Sequence, residues 1–260
     1  MNTKELKGTD MPYRTKWEQQ LEEFRLLIRS VPPVMLILFV MAVCLMNLMA
    51  NKSINLPVSW LALDCGLMVS WFVFLAMDII TKHFGPKAAT QLSIFAMLVN
   101  LGLCGIFYLF SLIPGTWGAS FVPGSEAVIN SALDSTFGGA WYVILGSAVA
   151  FTVSAMVNNF LNYSVGKAFA KNPNSMRAYL CRSYVSTAVA QFVDNFMFAM
   201  LVSHVFFGWT LLQCITCSLF GMLVELLSEG LFSVYGYYVC EKWRNNKVGE
   251  EYLGAFQPAA

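Results

Sequence analysis

The stretch Arg182-Ser183-Tyr184-Val185-Ser186-Thr187-Ala188-Val189-Ala190-Gln191-Phe192-Val193-Asp194-Asn195-Phe196-Met197-Phe198 begins with a cation and then turns apolar. Gln191 and Asp194 interrupt the apolar run. On a helix, Thr187, Gln191, Asp194 and Phe198 follow one another at spacings of four, three and four, so they share one face. A carboxylate near the middle of a membrane helix costs at least ~2.5 kcal/mol, so it faces a partner, a solute or water. The rest of the chain reads as what surrounds that face.

The composition places the stretch in a membrane. Of 260 residues, 57% are hydrophobic and only 12% charged, where a soluble domain carries about 25% charged residues. The net charge of +1 gives no reason to expect nucleic acid as a partner. The seven cysteines are scattered through apolar runs and make no disulfide framework. Cys214 and Cys217 have redox or metal spacing, but without a second pair they read as ordinary core- or lipid-facing thiols. No cofactor is expected.

Six apolar spans are expected, at about 34–50, 58–80, 91–112, 140–165, 182–205 and 210–239, which makes the fold an all-α integral membrane protein with six transmembrane helices. Residues 1–32 form a charged N-terminal segment in which Trp17, Leu21, Phe24 and Ile28 recur at four, three and four, the mark of a surface-lying amphipathic helix. Residues 33–240 are the six-helix transmembrane domain and residues 241–260 a C-terminal tail. Residues 113–139 read as a Gly/Pro/Ser-rich loop without Lys or Arg. Gly102 and Gly105 in the third span, and Gly146, Ala150 and Ser154 in the fourth, are expected to permit close helix approach.

Charge asymmetry orients the bundle. Fifteen Lys and Arg fall in the two tails and in the second-to-third and fourth-to-fifth loops, and Lys52 alone falls on the other side. Both termini are therefore expected in the cytoplasm. Asp194 then lies ~15 Å along its helix from the inner end, near the midplane. Glu225 lies at a similar depth, Asp64 nearer the outer face and Asp78 nearer the inner face. The mid-membrane segments hold almost no cation to pair with these acids. A carboxylate suits two adjacent N–H donors, such as the amidine edge of a guanine-like ring, and a glutamine supplies the complementary bond.

These residues also carry a family resemblance. Arg182, Ser186-Thr187, Gln191, Asp194 and Phe198 follow the pattern of the vitamin-uptake-type transporters, often called the queuosine precursor transporter family. Asp78, Gly85, Lys87 and Ala88 match a second patch, and Asn51-Lys52 a third. The small residues Ser147, Ala150 and Ser154 match the fourth span, with Asn158 where that family usually has Asp. The resemblance implies uptake of a 7-deazaguanine across the inner membrane: 7-cyano- or 7-aminomethyl-7-deazaguanine, or queuine. It also implies an architecture similar to the substrate-binding components of energy-coupling-factor transporters.

On this reading Asp194 and Gln191 meet the base edge, with Thr187 and Phe198 on their face and Asn158 and Asn162 opposite on the fourth helix. Arg182 anchors the cytoplasmic end. Asp64, Asp78 and Glu225 are further candidates for solute contact or proton coupling. A homodimer and an energising module are the partner arrangements left open. The alternatives are a transporter of another vitamin-like solute and a non-transporting membrane scaffold. An enzyme is disfavoured: there is no Ser/His/Asp set, and His83 and His204 are the only histidines. Nor is there a nucleotide-binding loop.

Overall fold

The computed structural model describes residues 16–54, 56–118, 123–168 and 176–256; within those ranges the side chains of 78, 155, 158–159, 162–163, 165–184, 186, 229 and 233 lie outside the description. The fold is all-α apart from one short hairpin. In chain order it comprises α1 (Lys16–Ser30), α2 (Pro33–Met49), β1 (Ser53–Ile54), β2 (Leu63–Asp64), α3 (Leu67–Phe84), α4 (Pro86–Ser111), α5 (Glu126–Gly138) and α6 (Trp141–Ala168). It continues with α7 (Met176–Phe198), a π-helical turn at Ala199–His204, α8 (Val205–Phe207), α9 (Leu211–Asn245) and α10 (Glu250–Phe256).

Among the described residues, five stretches are helical, long and apolar enough to cross a membrane: Leu67–Phe84, Pro86–Ser111, Glu126–Ser154, Thr187–Phe207 and Leu211–Phe232. Helix α2 makes a sixth when taken with α1, to which it is joined through a 106° bend. Pro32 and Pro33 cause that bend, because Pro33 has no N–H to continue α1 and its ring suits the first turn of a new helix. The chain is thus a multi-pass membrane protein.

Local chemistry sets the turns. Gly85 joins α3 to α4 at φ 87°, a conformation that side chains with a Cβ avoid, and Pro86 opens α4 behind it. Thr210 starts α9 with a reciprocal capping box to Gln213. Helix α9 runs for 35 residues, ~52 Å at 1.5 Å per residue, longer than a bilayer's ~30 Å apolar core. Its last turn, with Lys242 and Arg244, therefore projects beyond the apolar layer.

Three expectations need correction. The second span starts at Leu67 rather than near residue 58. Residues 53–64 are used for a hairpin that pairs Ser53 with Asp64 and Ile54 with Leu63, and Asp64 accepts the Gly66 N–H at 2.8 Å just ahead of α3. The 113–139 segment is not all loop: α5 packs back along α4, with Phe137 between Phe107 and Trp117. The Trp117 indole N–H donates to Asp134 at 2.8 Å, which ties the preceding turn to this helix. Finally, Gly102 and Gly105 face open space, so they are not close-packing points. The tight approach is at Gly146, where an added Cβ would strike Val202.

The two ends of the bundle are held by different contacts. At one end α1, the α3–α4 turn and α10 come together. Lys87 pairs with Glu23 at 2.6 Å, His83 Nε2 lies 2.9 Å from the Val248 carbonyl, and Leu27, Phe84, Trp243 and Tyr252 share one core. The expected amphipathic stripe of α1 divides there: Phe24 and Ile28 pack on that core, while Trp17 and Leu21 stay exposed. At the other end Gln213 Nε2 donates to Ser59 O at 3.0 Å, Thr216 Oγ1 to Trp60 O at 2.7 Å, and Tyr142 Oη to Asn51 Oδ1 at 3.1 Å.

Candidate functional site

Two cavities among the described residues take in the face read from the sequence. The first, with about 630 Å³ of atom-free space including its mouth, lies towards the end that carries the hairpin. Asp64, Asp194 and Glu225 all line it, with Asn47, Ser70, Asn195 and Phe198. The second, with about 1440 Å³ including its mouth, lies towards the end that carries the α3–α4 turn, and Thr187, Gln191 and Asp194 line it. The second is large enough for a flat heterocycle, since small-molecule sites typically occupy ~300–1,000 Å³, and the first is the narrower space. No Lys, Arg or His lines either cavity among the described residues.

Each acid is held by its own neighbours. Asp194 Oδ1 accepts a hydrogen bond from Ser154 Oγ at 2.9 Å, across the α6–α7 contact. Glu225 is 3% exposed and accepts from Asn195 Nδ2 at 3.3 Å, across the α7–α9 contact. Gly221, one turn before Glu225, makes room for that amide: a Cβ there would stand 2.8 Å from Asn195 Nδ2. Asp64 is fixed by the Gly66 N–H, and Gly66 itself leaves no room for a Cβ between Met46 O and Asp64 Oδ1.

Gln191 differs from all three. It is 6% exposed, and its Oε1 has no hydrogen-bond partner. A buried acceptor left without a donor costs about 1–3 kcal/mol, so an unpaired oxygen in the lining of a cavity invites a donor from a solute.

The face read from the sequence is therefore shared between two spaces. Thr187, Gln191 and Asp194 line the second cavity, Asp194 and Phe198 the first, and Asp194 alone among the four lines both. Asp64 and Glu225 join Asp194 in the first cavity. Asp78 is on α3, Asn158 and Asn162 on α6 and Arg182 on α7, but their side chains lie outside the described residues. The small residues of α6 are placed as the pattern suggests: Ser147 and Ala150 line the first cavity, Ser147 and Ser154 the second.

Sequence reasoning passed over Asn47, Ser70 and Asn195. Asn47 carried a readable signal, as a lone amide in an otherwise apolar α2 that is now 2% exposed. Asn195, next to Asp194, carried one too. Met46 and Phe74 line both cavities and carried none, since each is an apolar residue in an apolar run.

Comparison with known proteins agrees with this picture. The chain is 28% identical over 152 residues to a protein of Bacillus subtilis (strain 168) named "Probable queuosine precursor transporter". That alignment covers 58% of this chain and 60% of the relative's length. No solved structure matches the chain significantly. Residues 64–239 match the family described as "Putative vitamin uptake transporter", and that match starts at Asp64 and takes in Asp194 and Glu225. With about two thirds of its length matched, the chain belongs to the vitamin uptake transporter family.

Proposed function

We propose that this protein imports a queuosine precursor of the 7-deazaguanine class, with Asp194 and Gln191 reading the edge of the base. The observation that carries the reading is the pair itself. Two acceptors, the half-buried Asp194 carboxyl and the buried, unpartnered Gln191 oxygen, stand three residues apart on α7 in the lining of one cavity. A carboxylate accepts two parallel N–H bonds from an N1–H/N2–H₂ edge, and the glutamine oxygen takes a further donor on the same flat molecule. The name of the Bacillus subtilis relative supports this substrate class. Thr187, Phe198, Asp64 and Glu225 are assigned to contacts along the way, as are Asn158, Asn162 and Asp78. Arg182 is assigned to the cytoplasmic end of α7.

Orientation belongs to the same proposal. The end that gathers α1, the α3–α4 turn and α10 also collects Lys82, Lys87, Lys242, Arg244 and Lys247. By the excess of Lys and Arg it is the cytoplasmic end of a protein in the cell's inner membrane. The first cavity then lies in the outer half and the second in the inner half.

The test is thermal stabilisation of the purified protein against 7-cyano-7-deazaguanine, 7-aminomethyl-7-deazaguanine, queuine, guanine, biotin and riboflavin. A ligand at 100 times its Kd adds about 2.7 kcal/mol to the folded state. Stabilisation by the deazaguanines alone, lost in Asp194→Asn together with cellular uptake, is the expected result. Stabilisation by biotin or riboflavin instead would keep the transporter and replace the substrate. No shift with any of them in folded protein would remove the solute site.

A further inference from the structure

The two cavities around Asp194 share part of their lining. Along every helix that lines both, the order of residues is the same. Helix α2 gives Asn47 to the outer cavity and Phe39 to the inner one; α3 gives Ser70 and then Thr81. Four residues belong to both linings: Met46 from α2, Phe74 from α3, Ser147 from α6 and Asp194 from α7. They come from four different helices: Met46 and Asp194 stand between the outer and inner residues of their helices, Phe74 within one residue of that boundary, and Ser147 one turn to its outer side.

We infer that Met46 and Phe74 form the gate between two halves of one permeation pathway, with Asp194 as the charged group that faces both halves. The inference rests on the transporter reading but gives roles to Met46 and Phe74, which that reading does not use. Two large apolar side chains at the junction of two spaces, each of which carries acids or amides in a mostly apolar lining, make a constriction of the kind that excludes water while closed. Methionine is unbranched and changes rotamer at low cost, which suits a side chain that must swing aside and return. Asp194 needs no second carboxyl to hand a solute inward. A group bound to it from the outer cavity, where Asp64 and Glu225 also stand, is still bound to it once the inner cavity, where Gln191 stands, becomes its surroundings. A solute with adjacent N–H donors can thus exchange the outer acids for the inner amide without leaving Asp194.

The test reads the gate without using any solute. Ser70→Cys in the outer lining and Thr187→Cys in the inner lining are conservative replacements in the otherwise native chain. Each is exposed to a small, membrane-impermeant methanethiosulfonate from either face of sealed vesicles, and labelling at that position is read by peptide mass spectrometry. The expected result is labelling of Ser70→Cys from the periplasmic face only and of Thr187→Cys from the cytoplasmic face only. Adding Met46→Ala with Phe74→Ala should then make Thr187→Cys react from the periplasmic face at least tenfold faster.

Labelling of both positions from one face, labelling of neither, or no effect of the alanine pair in folded protein would overturn the gate. A second variant, Phe74→Trp, fills the constriction. Its uptake should fall at least tenfold while stabilisation by the solute persists; unchanged uptake would also overturn the gate. Because the thiol measurement needs no substrate, it stands even where the deazaguanine reading fails.

Discussion

Gln191 is the residue whose two roles pull in opposite directions. In the unliganded fold its buried oxygen has no donor, which costs stability. In the proposed complex that same oxygen gains a bond. Gln191→Met keeps the length of the side chain and removes both polar atoms. The unliganded protein should therefore melt at the same temperature or a few degrees higher. Solute affinity should fall about tenfold, the equivalent of ~1.4 kcal/mol for one hydrogen bond. A melting curve with and without ligand checks both halves at once, and a variant that melts lower and binds equally well would make Gln191 a packing residue. Asp194 and Gln191 were legible in sequence because a polar side chain in an apolar helix is conspicuous. Met46 and Phe74 were not, because hydropathy cannot tell an apolar residue that faces lipid from one that closes a cavity.

At the scale of elements, the contact between α6 and the end of α7 decides where Asp194 points. The π-helical turn at Ala199–His204 widens the helix one turn beyond Asp194, a deviation often found beside functional sites. Gly146 of α6 presses against Val202 in that turn, so the two helices approach closely where α7 is widest. Gly146→Ala forces the pair apart. It should destabilise the protein by about 1–3 kcal/mol, the usual cost of overpacking. Gly146→Ala with Val202→Ala should recover most of that loss. Thermal melting of the two variants in detergent checks it, and equal melting of both would mean that the contact yields without strain. The fourth-span pattern was legible because Gly146, Ala150 and Ser154 repeat on one face. Gly102 and Gly105 misled because a glycine in a membrane helix permits an approach without saying that a neighbour takes it. The starts of α3 and α5 were missed for a related reason. Apolar residues before Leu67 look like span, and turn-forming residues before Glu126 look like loop, until tertiary contacts decide.

At the scale of the whole molecule, the fifteen-to-one distribution of Lys and Arg sorts the tails and loops into two sets without reference to any contact. What it could not give is how the segments on one side hold each other. Glu23 of α1 is 4% exposed and meets Lys87 at the start of α4 at 2.6 Å, while the Tyr252 hydroxyl of α10 reaches its other oxygen at 3.5 Å. Burial and the neighbouring Glu23 carboxyl push the Tyr252 hydroxyl up to about 12, so it remains a donor to Glu23 at physiological pH. Three segments far apart in sequence thus converge on one buried carboxyl, beside Leu27 and Phe84 in the same core. Lys87→Met strands that carboxyl and should cost about 2 kcal/mol, within the range for a buried charged group that loses its partner, and its melting temperature should drop by several degrees. Lys87→Met combined with Glu23→Gln removes both the charge and its partner, and should recover most of the loss. If the single variant melts like the parent, α1 and α10 are held by apolar packing alone, and the Glu23–Lys87 pair is a consequence of that packing rather than a cause of it.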